Sequence, residues 1–399
     1  MKPRVALLTN IPTPYRLALY RALNRQLDLH VIFDDLSEPN RLWQLKADEM
    51  DFPYQVSRGM RLHHVRKRPD LAMNDDRYVH LKLDVLSKLA GLRPDVIVSG
   101  EFGARSTQAM LYGKLTRTPV ILWSEVTRHT ETRTSPIKTQ LRKALVRGAS
   151  GFWSNGHESS LLLEDYGAAP ERIQPGMTGV DTRFFAQETR RWLPMRDRLR
   201  SELGVHGTTF LFVGQFIERK GLKHYLDALD QLAAEQPRGW SAVFVGSGPL
   251  EAQLSAWRDR HPEIPLVLTG FVQSDVLPRY YALSDVFVMP TLEDNWSLVA
   301  LEAAVAGLPQ VFSRYNGCSA DLCAYGSAGL VVDPLRVQAF ADTLRAYVET
   351  PPPRLPDALC ERFLDYYGPD RVAERAHASV LAALTPPARR LGMPAGALR

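Results

Sequence analysis

From residue 4 onward the chain alternates short, near-continuous apolar runs with stretches patterned as helices, and it does so in two separate series. The first holds "RVALLTN" (4–10), "LHVIFDD" (29–35), "DVIVSG" (95–100), "PVILWSEV" (119–126) and "GFWSNG" (151–156), with helical patterns such as "PYRLALYRALNRQ" (14–26) between them. The second holds "TFLFVGQF" (209–216), "SAVFVGSG" (241–248), "PLVLTGFV" (265–272), "DVFVMP" (285–290), "PQVFSR" (309–314) and "AGLVVD" (328–333). A strand that is apolar on both faces must be covered on both, so each series predicts a parallel sheet between helix layers. The polar, Arg-rich stretch at 186–207 separates them. The expectation is an α/β protein of two Rossmann-like doubly wound domains, 1–188 and 189–366. One more helix follows over 367–385, and the tail 386–399 has too little apolar content to pack and is expected to be disordered. Ligands of such sheets bind at the carboxyl ends of the strands, which puts a cleft between the two domains.

With 399 residues, 45% hydrophobic and 23% charged, the chain can bury a large core. The opening apolar run, Val5 to Thr9, is too short for a signal-peptide core. No segment approaches the roughly 20 apolar residues of a membrane span. A cytoplasmic location is expected. Cys318, Cys323 and Cys360 cannot all pair and lack a second ligand pair for zinc, so they read as reduced thiols. The net charge of +5 is uneven: residues 1–185 hold 27 Lys and Arg against 20 Asp and Glu, and the remainder holds 22 against 24. A basic first half suits an acidic partner such as nucleic acid, a phospholipid surface or a phosphorylated substrate, or is ordinary solvated surface.

Three stretches carry chemistry. "VGQFIERKG" puts Gly214 and Gln215 at a strand end and Arg219 and Lys220 at the start of the next helix, where two cations join free backbone N–H groups to favour a diphosphate. "VFVGSGP" places Gly246 and Gly248 at the next strand end, open to close backbone approach or a tight turn. In "PTLEDNWSLVALEAAVAGLP" (290–309), Asp294, Asn295 and Ser297 suit a helix start, and Glu302 is a carboxylate in a helix otherwise made of Leu, Val and Ala. On a helix the two carboxylates would stand ~12 Å apart along the axis and ~80° round it. That spacing suits the two ends of one long, hydroxyl-rich ligand. Bonding to a ribose diol would satisfy a carboxylate that is costly to bury alone; a protein N–H or an arginine would serve as well.

These stretches, together with "LTGFVQSDVLPRYYALSDVFVMP" and "ERIQPGMTGVDTRFF", resemble in order and spacing the retaining, nucleotide-sugar-dependent glycosyltransferases of family 4, over about residues 171 to 333. "NIPTPYRLALYRAL" in the first half matches more loosely. The resemblance implies the GT-B fold, with an acceptor-binding first domain, a donor-binding second domain and the last helix returning to the first. It implies that Lys220 and Arg219 hold the donor diphosphate, that Glu302 takes the ribose hydroxyls and that backbone near Phe271 meets the base. Asp294 and the N–H groups of Asn295, Trp296 and Ser297 would orient the sugar. The loop from Asn10 through Tyr15 to Arg16 would close over the phosphates and admit the acceptor; Glu101 and Glu125 lie at strand ends facing the same cleft.

Two departures stand out. The family's Glu-x7-Glu is here Asp294-x7-Glu302, with Glu293 one residue out of register, and Gln215 stands where an arginine is usual. The chain has no Asp-x-Asp, the diphosphate metal site of the other major glycosyltransferase fold, so a metal- and cofactor-free reaction is expected. In the family's proposed mechanism the acceptor attacks from the leaving-group face and a donor phosphate oxygen takes its proton. The expected partners are a nucleotide-diphosphate sugar and a saccharide or lipid-linked acceptor of bacterial surface polysaccharide or glycolipid assembly, without nucleic acid. A nucleotide-sugar epimerase of the same fold, a non-catalytic donor-binding subunit and a two-domain solute-binding protein are the rival readings. His129 reads as a solvated loop residue. The helix at 138–148 puts Lys138, Arg142 and Lys143 near one face, which leaves open peripheral contact with the inner membrane face.

Overall fold

The computed structural model describes residues 2–385 except 40–42, 44, 46, 72, 133, 325 and 326; the tail 386–399, expected to be disordered, lies outside the described residues. The first half contains β1 (Arg4–Thr9), α1 (Pro14–Gln26), β2 (Asp28–Phe33), β3 (Tyr54–Val56), β4 (Gly59–Arg68), β5 (Met73–Lys82), α2 (Val85–Leu92), β6 (Val96–Gly100), α3 (Ala104–Thr116), β7 (Val120–Ser124), α4 (Pro136–Gly148), β8 (Gly151–Ser154), α5 (His157–Asp165) and β9 (Ile173–Gln174). Its main sheet has the order β3-β2-β1-β6-β7-β8-β9, all parallel. The central strands are buried on both faces, as their unbroken apolar runs require.

The second half contains α6 (Thr182–Trp192), α7 (Arg196–Leu203), β10 (Thr208–Val213), α8 (Leu222–Glu235), β11 (Trp240–Val245), α9 (Glu251–Arg260), β12 (Leu266–Leu268), α10 (Leu277–Leu283), β13 (Val286–Met289), α11 (Leu298–Val305), β14 (Gln310–Ser313), α12 (Ser319–Ala324), β15 (Gly329–Val332), α13 (Val337–Glu349), α14 (Asp357–Tyr367) and α15 (Pro369–Leu384). Its parallel sheet has the order β12-β11-β10-β13-β14-β15, the doubly wound 3-2-1-4-5-6 arrangement. The strand order reverses about β1/β6 in one sheet and β10/β13 in the other, so the loops after those strands are the ones that open onto a ligand crevice.

Two features depart from the sequence expectation. The Arg-rich stretch is helical, and Val180, Phe185 and Ala186 already pack in the second core. The crossing therefore precedes the expected boundary at 188/189, because α6 buries its apolar side against α10 and α11. The second feature, which the apolar-run pattern gave no sign of, is the antiparallel hairpin β4-β5, standing apart from both sheets. At the far end of the chain, Val372, Ala373, Ala376 and Val380 of α15 belong to the first domain's core, against α1.

Candidate active site

The ends of β10 and β11 approach so closely that a Cβ on Gly246 would lie 1.9 Å from the Gly214 carbonyl oxygen, and Gly246 has φ +144°. Only glycine fits there. Gly248 takes the tight-turn alternative: it packs against the Phe216 backbone and does not line the adjoining cavity. That cavity, about 220 Å³, is walled by Gly214, Gln215, Gly246, Phe271, Leu277 and Glu302, with Pro14 and Tyr15 reaching in from the first domain. Its walls are mostly apolar, and Glu302 is the carboxylate among them. The Tyr281 hydroxyl donates to Glu302 Oε2 at 2.8 Å. Burial still pushes the Glu302 carboxyl up to about 7, which the Tyr281 hydrogen bond only partly offsets.

Beyond Gly214 the chain makes a single 3-10 turn, Glu218–Lys220, and α8 starts only at Leu222. Leu292 N–H donates to the Arg219 carbonyl at 2.9 Å, and Arg219 Nη1 donates to the Glu293 carbonyl at 3.1 Å, so the turn and the segment after β13 are laced together. Lys220 Nζ sits 2.5 Å from Asp294 Oδ2. Burial pulls the Asp294 carboxyl upward, but Lys220 and then Arg219 outweigh it and hold it below the ordinary carboxylate range. Asp294 also accepts from the Ser297 hydroxyl at 2.9 Å and from Trp296 N–H at 3.2 Å. The helix itself begins at Leu298, so Asp294 to Ser297 is a loop and helical spacing from Asp294 to Glu302 does not apply. The two carboxylates instead serve different cavities, as Asp294, Asn295 and Trp296 line a polar one, also about 220 Å³, between the domains.

The first domain contributes Tyr15, Arg16, Arg77, Glu125, Thr130 and Asn155 to that polar cavity. Arg16 forms an ion pair with Glu125 and lies 5.0 Å from the Trp123 ring centroid. Burial would lower the Arg16 pKa, but the Glu125 carboxylate more than reverses it, so Arg16 stays a cation. Glu101 lies behind: its Oε1 accepts from Glu125 N–H at 3.1 Å, and its carboxyl is raised to about 7 by burial and then by the Glu125 charge. Its φ of +64° falls at a strand end, whereas Arg93 and Arg117, the other non-glycine residues with positive φ among the described residues, cap helices. Asn10 lines neither cavity; its carbonyl receives the N–H groups of Asp34 and Asp35.

Other expectations are corrected. His129 is not solvated: Nε2 lies 2.8 Å from the Leu292 carbonyl and the ring stacks on Tyr315 at 4.8 Å. Arg142 is not on the surface face of α4, being buried against Glu131 and the Tyr166 hydroxyl. Glu293 is the residue the sequence reading passed over. It is 1% exposed and bound by Arg66, Arg68 and Arg77 of the hairpin. Among the described residues no group of three or more His, Cys, Asp or Glu side chains is placed to hold a metal ion.

Two facing Rossmann-like domains, with a cationic turn and a buried carboxylate at the strand ends of the second, define a GT-B protein. The overall arrangement matches solved structures of that kind: Anabaena HepE in complex with UDP (TM-score 0.64, 17% identity, 96% of this chain and 95% of that one). The lipopolysaccharide outer core galactosyltransferase WaaB matches likewise (TM-score 0.66, 13% identity, 95% and 99%). Residues 207–350 match the family model of the glycosyl transferases group 1. That match lies within the second domain, and the chain is similar there to the glycosyl transferases group 1. Among curated proteins it is similar to mannosylfructose-phosphate synthase of Agrobacterium fabrum, 27% identical over 183 residues, 44% of this chain and 39% of that protein. It is also similar to D-inositol 3-phosphate glycosyltransferase of Corynebacterium efficiens, 27% identical over 196 residues, 47% and 45%. Both matches span less than half the length of these relatives.

Proposed function

We propose that this protein is a metal-independent, retaining glycosyltransferase that moves a sugar from a nucleoside-diphosphate sugar to a saccharide or lipid-linked acceptor. The observation that carries the reading is the pairing, across the ends of β10 and β13, of a cationic turn with a mostly apolar cavity that contains one buried carboxylate. The base and ribose enter the cavity beside Phe271, and the Glu302 carboxylate accepts from the ribose hydroxyls. The diphosphate meets Arg219, Lys220 and the N–H groups after Gly214. These cations stabilise the charge that grows on the departing nucleoside diphosphate, which is electrostatic catalysis without a metal. Asp294 keeps Lys220 in place before the donor arrives and then accepts from hydroxyls of the donor sugar. The acceptor occupies the polar cavity beside Arg16 and Glu125, its hydroxyl attacks the anomeric carbon from the leaving-group face, and a donor phosphate oxygen takes the proton. UDP in the complex of the structurally similar HepE protein, and the sugar phosphates in the names of the curated relatives, support this division of the cleft.

Surface-polysaccharide or glycolipid assembly at the inner membrane face is the setting we assign. The described residues contain no helix long and apolar enough to cross a membrane. Neither α3 nor α4 contains an Asp or Glu, and they expose Leu115, Ile137 and Leu141 beside Lys114, Lys143 and Arg147. The test is to incubate the protein with UDP-, GDP-, ADP- and dTDP-sugars and candidate acceptors in a chelator. The expected result is release of one nucleoside diphosphate and a product that keeps the donor's anomeric configuration. An inverted product, or turnover that vanishes in the chelator, contradicts the reading.

A further inference from the structure

The hairpin β4-β5 extends from the first domain and grips both donor-side segments of the second. In the antiparallel register Leu62 faces Val79, His64 faces Arg77 and Arg68 faces Met73, so Arg66, Arg68 and Arg77 share one face. All three reach Glu293: Arg66 at 2.6 Å, Arg68 at 2.5 Å and Arg77 at 2.7 Å. Beside them Leu71 and Met73 pack on Leu292 in a small apolar cluster of their own. Asn74 N–H donates to Glu218 Oε2 at 2.8 Å. Glu218 opens the turn that carries Arg219 and Lys220, and Glu293 precedes Asp294. One hairpin thus holds the two segments whose side chains meet in the Lys220–Asp294 pair.

We propose that this hairpin is a strap that positions the donor-diphosphate turn, so that a second-domain donor site takes its binding geometry only while first-domain arginines are docked on Glu293. Arg66, Arg68 and Arg77 are then positioning residues. This rests on the donor site assigned above. A buried carboxylate surrounded by three guanidinium groups keeps its place only while they stay; if the strap lifts, Glu293 must move to water and takes the segment before Asp294 with it.

The test compares Arg66→Gln/Arg77→Gln with Arg66→Lys/Arg77→Lys in the full chain, leaving the more buried Arg68 in place. Amide hydrogen exchange of residues 214–221 and 290–297 is read without nucleotide, and UDP, GDP, ADP and dTDP affinities are read by titration. The strap predicts faster exchange in both segments of the glutamine variant. It also predicts at least tenfold weaker binding of the nucleoside diphosphate that the wild type takes, a donor KM that rises more than kcat falls, and recovery of most of the affinity by the lysine variant. Unchanged exchange overturns it, as does a loss that lysine does not restore. If the glutamine variant does not fold, Glu293→Gln approaches the same contact from the other domain and must give the same exchange pattern. A wild type that binds no nucleoside diphosphate overturns the proposed function instead, and the exchange result then decides the strap alone.

Discussion

The two cavities of the cleft are similar in size and opposite in construction. The mostly apolar one is built largely by a single domain, from strand ends that glycines bring together, with Glu302 as the ionisable group at its wall. The polar one is shared: Arg16, Arg77 and Glu125 come from one domain, Arg219, Glu293, Asp294 and Trp296 from the other, with Arg16 paired to Glu125, Arg77 to Glu293, and Asp294 to Lys220 behind the wall. The first can bind a ligand by its own shape. The second exists only while the domains face each other, and a ligand entering it must rearrange ion pairs that are already made. On the proposed assignment the base and ribose meet a wall built largely by one domain, whereas the diphosphate turn, which the first-domain hairpin holds through Glu218 and Glu293, and the acceptor cavity both depend on the interface.

The comparison is broken most severely at the turn between the cavities. Lys220→Ala removes the cation that the proposed mechanism sets against the departing diphosphate and leaves Asp294 buried without its nearest partner. kcat/KM should fall by at least about two orders of magnitude, measured with the preferred donor. Wild-type turnover would remove Lys220 from the mechanism.

Arg16→Gln separates the two cavities. Arg16 neutralises Glu125 beside the polar cavity. The variant should lose about tenfold or more in kcat or acceptor KM, while nucleoside diphosphate affinity stays within about twofold. Titration and steady-state kinetics on one preparation check it, and an equal loss of both would mean that the cavities are not distinct.

Glu302 sharpens the donor side through pH. Its carboxyl titrates near 7 in the folded protein against 4.5 normally, so between those values the folded state holds more protons than the unfolded one. The ligand-free protein should lose stability as pH rises from about 4.5 to 7, and this part of the decline should disappear in Glu302→Gln, as thermal melts would show. In the proposed binding mode the ribose hydroxyls donate to the ionised carboxylate, so nucleotide affinity should instead rise with pH through 7. A smaller, purely structural effect is expected at Gly246→Ala. A Cβ there strikes the Gly214 carbonyl at a positive φ, which should cost about 1–3 kcal/mol and lower Tm by several degrees.

What could be read from the sequence follows the same division. Gly214, Lys220 and Glu302 sit in continuous stretches where strand end, turn and helix follow one another, so local pattern placed them on one edge of a sheet. Asp294 was placed on that edge but with the wrong spacing, because the Asp294–Ser297 segment bonds its own side chains and delays the helix to Leu298. The strap could not be read at all. Its strands, "GMRLHHVRKR" and "MNDDRYVHLK", are largely polar, and the arginines meet Glu293 across 216 to 227 residues of chain. Contacts of that span leave no periodic trace; Glu293, read as a register slip, is the anchor of the longest-range ion pairs at the site.

A metal-independent nucleoside diphosphate site at the strand ends of the second domain is tested by one titration. Calorimetry reads occupancy directly, because Trp296 lines the polar cavity and not the one assigned to the nucleotide. UDP, GDP, ADP and dTDP are added in turn, with magnesium and with a chelator. The account predicts micromolar binding of one of them, equal in both conditions and weakened in Glu302→Ala. Binding that requires magnesium, or is untouched by Glu302→Ala, would contradict it.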